Sequence, residues 1–172
     1  MQALIRFFWQ LCLLRRGPQD LPASPPLLGL MAVTNGLVGV LGSLDYFGTP
    51  GRAMAASLLD TLLVAGLVYA TLGFAGHRPR FVQTLTAVYG VGVLFGAVML
   101  VAQSLVGALG ALPLVALINL IVLGWLHLAL GHVLRHALEM DLWAGIAIAV
   151  GYTVIGLTLV NIYFPPAAVV GG

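Results

Sequence analysis

The chain contains no lysine, and only 7% of its 172 residues are charged. Soluble domains carry about 25% charge. That deficit, with a hydrophobic content of 61% and a mean hydropathy of +1.10, excludes both a water-soluble globular domain and a disordered chain. Nucleic-acid binding is excluded as well: the seven basic residues are all arginine, scattered along the chain rather than gathered into a stripe. Cys12 is the single cysteine, so there is no intramolecular disulfide and no cysteine-based metal site. Within its apolar run, Cys12 reads as a small buried hydrophobe. No Ser-His-Asp set, phosphate-cradling loop or paired-carboxylate site is legible either, which argues against an enzyme.

What the chain does have is five long apolar segments: roughly 26–44, 53–74, 81–105, 112–134 and 142–164. Each is long enough for one membrane crossing with some tilt. The runs are continuously apolar and show no barrel alternation. The expected fold is therefore all-α, a polytopic bundle of five transmembrane helices over 26–164, with no internal repeat. Residues 1–16 form a separate unit. Gln2, Arg6 and Gln10 recur at every fourth position and share one face, while Phe7, Phe8, Trp9, Leu11 and Leu14 cover the rest. A short amphipathic helix lying in the interface fits that pattern. The segment carries Arg6 and Gln10 and no small-residue cleavage site, so it does not read as a secretory signal. Arg15-Arg16 is followed by polar residues rather than an apolar run, against a twin-arginine signal. A proline-rich linker follows at 17–26, where Ser24 before Pro25 has the form of a helix N-cap. Residues 165–172 form a short tail.

Six arginines (Arg6, Arg15, Arg16, Arg78, Arg80 and Arg135) fall on one side of this map and Arg52 alone on the other. The positive-inside rule then places the N-terminus in the cytoplasm and the C-terminus outside, with Trp143 at the inner boundary and Tyr46, Phe47, Tyr163 and Phe164 at the outer one. So little projects from the bilayer that any activity belongs inside the bundle or on its cytoplasmic rim, where Arg78, Arg80 and Arg135 lie.

Asp60 is the most informative residue. It lies about seven residues, or about 10 Å, from the outer end of the second run. A carboxylate there must be protonated or paired and should face the bundle interior. Asn35, Asn119 and Gln103 fall at comparable depth in the outer half. Together they read either as a polar pocket for a proton or cation, or as a hydrogen-bonded cluster that pins helices together. A second cluster lies in Trp125–Asp141. His132, His136 and Glu139 follow an i, i+4, i+7 spacing suited to zinc or iron. Arg135 sits among them and would repel a cation, and His127 points away. An interaction face or plain solvation at the headgroup level competes with a metal site. The glycines at 36, 39, 42, 92, 96, 124, 131, 145, 151 and 156 suit either close helix packing within the chain or a homo-oligomer seam.

Two stretches, LLVAGLVYATLGFAGHRPRFVQTLTAVYGVGVLF and WLHLALGHVLRHALEMDLWAGIAIAVGYTVIGL, together with GPQDLPASP and the five-span order, resemble bacterial inner-membrane members of the Yip-domain family. The resemblance implies a compact bundle acting through its cytoplasmic face or through lipid packing, with no catalytic residues and no cofactor. Eukaryotic relatives bind lipidated Rab GTPases, a partner system that bacteria lack, and this chain departs further from them in having only a short N-terminal cytoplasmic segment. The expectation is a non-enzymatic inner-membrane scaffold whose partners are membrane lipids, another membrane protein or a second copy. The alternatives are a small transporter or channel built on the Asp60 pocket, or a metal- or haem-binding redox subunit using His132 and His136.

Overall fold

The structure, a computed structural model, describes residues 2–108 and 112–167. Every element among them is helical: α1 (Gln2–Cys12), α2 (Pro25–Phe47), α3 (Pro50–Phe74), α4 (Phe81–Ala108), α5 (Leu112–Leu138) and α6 (Leu142–Tyr163). Short 3₁₀ turns occupy Pro18–Asp20 and Arg78–Arg80. Helices α2 to α6 are each long and apolar enough to cross a membrane, so the chain is a multi-pass membrane protein. Residues 109–111 of the α4–α5 turn and 168–172 of the expected tail lie outside the described residues.

Helix ends follow from local chemistry. Ser24 Oγ accepts from Leu27 N at 3.4 Å with Pro25 in the first turn, as the sequence predicts, and Thr49 and Asp141 cap α3 and α6 in the same way. Gly48 closes α2 at φ +73°, a left-handed conformation that glycine adopts without penalty. At the far end of α5 the left-handed residue is Glu139, φ 58°, and Met140 N reaches back to the Arg135 carbonyl at 3.0 Å.

In space the five long helices form a closed ring in the order α3, α2, α4, α5, α6 and back to α3. Their outward faces carry apolar side chains, among them Leu30, Val33, Leu37, Leu58, Leu62 and Leu120. A soluble protein exposes no belt of this kind; here it is the surface that lipid covers. Close approach within the ring is made possible by missing side chains. A Cβ on Gly145 would collide with the Gly131 carbonyl of α5, and one on Gly92 with the Asn35 side chain of α2.

The N-terminal segment differs from the expected surface helix in two ways. Its helix stops at Cys12 rather than running to residue 16, because the chain reverses at Leu14 (φ 60°) and Arg15 N bonds back to the Gln10 carbonyl at 2.9 Å. Its apolar face is also buried by protein. Phe8, Leu11 and Cys12 join the main core against α4 and α5. Phe8 lies against Gly90, nine residues and so about 13 Å into α4. Trp125 Nε1 donates to the Cys12 carbonyl at 2.9 Å. With α1 in place, residues 84–91 of α4 are buried on every side.

Candidate functional site

Between the helices lies a partly open cavity of about 530 Å³ to which all five long helices contribute. Its size falls in the range of about 300–1,000 Å³ seen for small-molecule sites. Asp60 and Asn35 stand on its wall, at the junction with a second space of about 300 Å³ reached by Gln103. Three of the four polar residues expected to meet therefore do so. Asn119 is the exception. It lines neither space: it shares the α5 face that brings Leu126, Leu130 and Leu134 to the cavity but lies seven residues, about 10 Å, short of Leu126, and its Oδ1 is buried without a hydrogen-bond partner. A residue's distance from the end of its own helix is therefore not its level in the bundle: α3 lines the cavity from Ala56 to Val64, six to fourteen residues from its start, and α5 only from Leu126 onward, fourteen residues from its start.

Asp60 lies ten residues, about 15 Å, into α3. No side chain among the described residues bonds to its carboxylate, and the single ion pair there lies elsewhere, between Arg80 and Glu139. Opposite it, α6 presents Gly156, where a Cβ would stand 3.0 Å from Asp60 Oδ1. Sequence reasoning missed most of the other polar members of the wall: Ser43, Ser57, Tyr89, Tyr152, Thr153 and Asn161, while Tyr46 entered only as an interface anchor. Ser57 was within reach of it, since it precedes Asp60 by three residues and shares its helix face. The tyrosines resemble membrane-interface anchors in sequence, and only the ring order turns them inward.

The cavity has a closed end. Toward the arginine-rich end Val68, Leu72, Leu85 and Leu134 pack into the apolar core. At the opposite end Tyr46 Oη donates to Asn161 Oδ1 at 2.7 Å, and Arg52 Nη2 donates to the Pro165 carbonyl at 2.5 Å. Phe47, expected as a lipid-facing anchor, instead packs beneath this strap against Ala53 and Ala56. Exposed Tyr46, Tyr163 and Trp143 remain where anchors are expected.

The histidine cluster does not assemble into a ligand set. His132 and His136 do meet, their ring centroids 4.6 Å apart, edge to face. But His132 Nε2 donates to the Arg16 carbonyl at 3.0 Å, which ties the N-terminal segment to α5. The Glu139 carboxylate pairs with Arg80 instead of the imidazoles, and that guanidinium holds its carboxyl below the ordinary value of 4.5. α5 ends at Leu138, so Glu139 leaves the helix face on which the i+7 spacing had placed it. His127 bonds within the bundle, to the Leu123 carbonyl at 2.8 Å and Thr153 Oγ1 at 2.9 Å. Among the described residues no group of three His, Cys, Asp or Glu side chains is placed to hold a metal.

Of the rim cations, Arg80 is engaged. Besides Glu139 it donates to the carbonyls of His136 and Ala137 at 3.3 and 3.1 Å, capping the negative end of α5 from a neighbouring turn. Arg78 lies over the Tyr69 ring at 5.6 Å. Arg135 is half-buried, its backbone N close to Gly145 on α6. No family model, no curated protein and no solved structure matches this chain.

Proposed function

We propose that the chain is a non-enzymatic, multi-pass protein of a bacterial inner membrane, N-terminus inside and C-terminus outside, whose helix ring holds a small amphipathic molecule around Asp60. It acts either as an intramembrane binding protein or as a small transporter. The observation that carries this reading is the Asp60 carboxylate on the wall of a largely apolar cavity, with no group among the described residues bonded to it. Isolating a charged residue at such depth costs about 3 kcal/mol on insertion scales, and such residues mark ligand or ion sites by default.

The test compares two variants. Asp60→Asn keeps shape and volume, so it should accumulate normally while losing whatever small molecule native mass spectrometry finds released from the wild-type protein in lipid discs. The reading fails if Asp60→Asn retains that molecule and only Asp60→Leu is destabilised, by about 0.6–2 kcal/mol, as a purely structural hydrogen-bond cluster requires.

The topology rests on the six-to-one distribution of arginines. A C-terminal alkaline phosphatase fusion should be active and a C-terminal green fluorescent fusion dark; the reverse pair of results would invert the orientation.

A second reading, the Yip-like scaffold, is favoured by the rim. There exposed Arg16 and Arg78 and half-buried Arg135 leave a cationic face suited to anionic headgroups or an acidic partner segment.

A further inference from the structure

We infer that the molecule held at Asp60 is a lipophilic monocation: a single ammonium group, rich in hydrogen-bond donors, on an apolar body. This deepens the binding reading above and rests on it. The argument is a count of protons on the cavity wall. Each hydroxyl there already has an acceptor for its hydrogen. Ser57 donates to the Gly36 carbonyl at 2.8 Å, Tyr89 to the Thr61 carbonyl at 2.6 Å, and Ser43 to the Gly39 carbonyl at 2.7 Å. Tyr152 donates to Thr71 Oγ1 at 2.7 Å, Tyr46 to Asn161 at 2.7 Å, and Thr153 has both the Ala149 carbonyl and His127 within reach. Asn161 Nδ2 likewise donates to the Leu157 carbonyl at 2.9 Å.

What the wall offers an occupant is therefore acceptors: the hydroxyl oxygens, the Asn35 carbonyl and the two oxygens of Asp60, which when ionised can accept but not donate. Asn35 is the one side chain on the wall whose amide hydrogens have no protein acceptor among the described residues. An anion would meet a carboxylate with almost no donors, and a neutral alcohol would leave the charge unpaired. An ammonium supplies three donors and the opposite charge. The remaining wall is Val64, Val88, Leu126, Leu130, Leu134 and Leu157, which suits a hydrocarbon body. No arginine lines the cavity to compete for the carboxylate.

The experiment uses the full chain in phosphatidylcholine discs and three probes of equal length: radiolabelled dodecylamine, dodecanol and dodecanoic acid. Each is measured by equilibrium dialysis at pH 7 against empty discs, which removes the contribution of partitioning into lipid. The amine should bind about tenfold or more tightly than either of the others, the scale of a charge-assisted hydrogen bond. Asp60→Asn should erase that preference, and Asp60→Glu, which keeps the charge, should restore most of it. Equal binding of amine and alcohol, or a preference for the acid, overturns the cationic assignment while leaving a ligand-binding cavity. Failure of all three probes to bind above empty discs overturns both. An amine preference that survives in a folded Asp60→Asn protein also overturns the assignment, because the selectivity then comes from elsewhere.

Discussion

Cys12 shows how strongly a short docked helix changes a residue's chemistry. It is 1% exposed, and burial pushes its thiol up to about 12 from an ordinary 9.0. The thiolate is the reactive species. At pH 8 it makes up about one ten-thousandth of the folded protein, so a maleimide should label the native chain very slowly and the SDS-denatured chain fully. The sign of the linkage follows. The unfolded chain releases this proton near pH 9 and the folded chain holds it to about 12. The contribution is intact below pH 9 and is lost as pH rises from 9 to 12, at about 1.4 kcal/mol per unit. Denaturation followed between pH 7 and 10 should show a steeper decline in the wild type than in Cys12→Ala. That Cys12 would be buried was legible from the apolar residues around it. What buries it was not: a lipid interface and a groove on α4 select the same amphipathic pattern, and only the gap at Gly90 distinguishes them.

Among the helices, the α5–α6 seam is one where glycine meets backbone rather than side chain. A methyl group on Gly145 meets the backbone carbonyl of Gly131, which cannot swing aside as a side chain would. Gly145→Ala should therefore push the two helices apart and cost about 1–3 kcal/mol, the usual scale of overpacking, read as a lower midpoint in SDS or heat denaturation. Gly66→Ala is the control. It faces open space on α3 and should be neutral or slightly stabilising, since alanine favours a helix by up to about 1 kcal/mol. If both variants lose the same stability, close packing at Gly145 is not the cause. The five spans were legible because long apolar runs have few alternatives. Close packing was legible as a tendency, from glycine spacing, but the choice of which glycines meet depends on neighbours that no single helix specifies. The ends of α5 illustrate the same limit. Its termination depends on Arg80, 56 residues from His136 in sequence, reaching over from another turn.

For the molecule as a whole, the stretch of each helix that reaches the cavity decides which residues become a site. Asp60 and Asn35 lie on the stretches of α3 and α2 that line it, whereas α5 lines it only from Leu126 onward, beyond Asn119. Depth arithmetic alone gives those three residues equal standing, so the site was legible only partly in membership. The depth of Asp60 has a further consequence, electrical rather than chemical. With Asp60 about 15 Å along a helix that spans the bilayer, it sits near the middle of the transmembrane field. A full crossing of one elementary charge is worth about 2.3 kcal/mol per 100 mV. A monovalent cation that reaches Asp60 from either aqueous phase crosses about half of that drop, so occupancy of the cavity is set by the energised state of the membrane as well as by concentration, at about 1 kcal/mol per 100 mV.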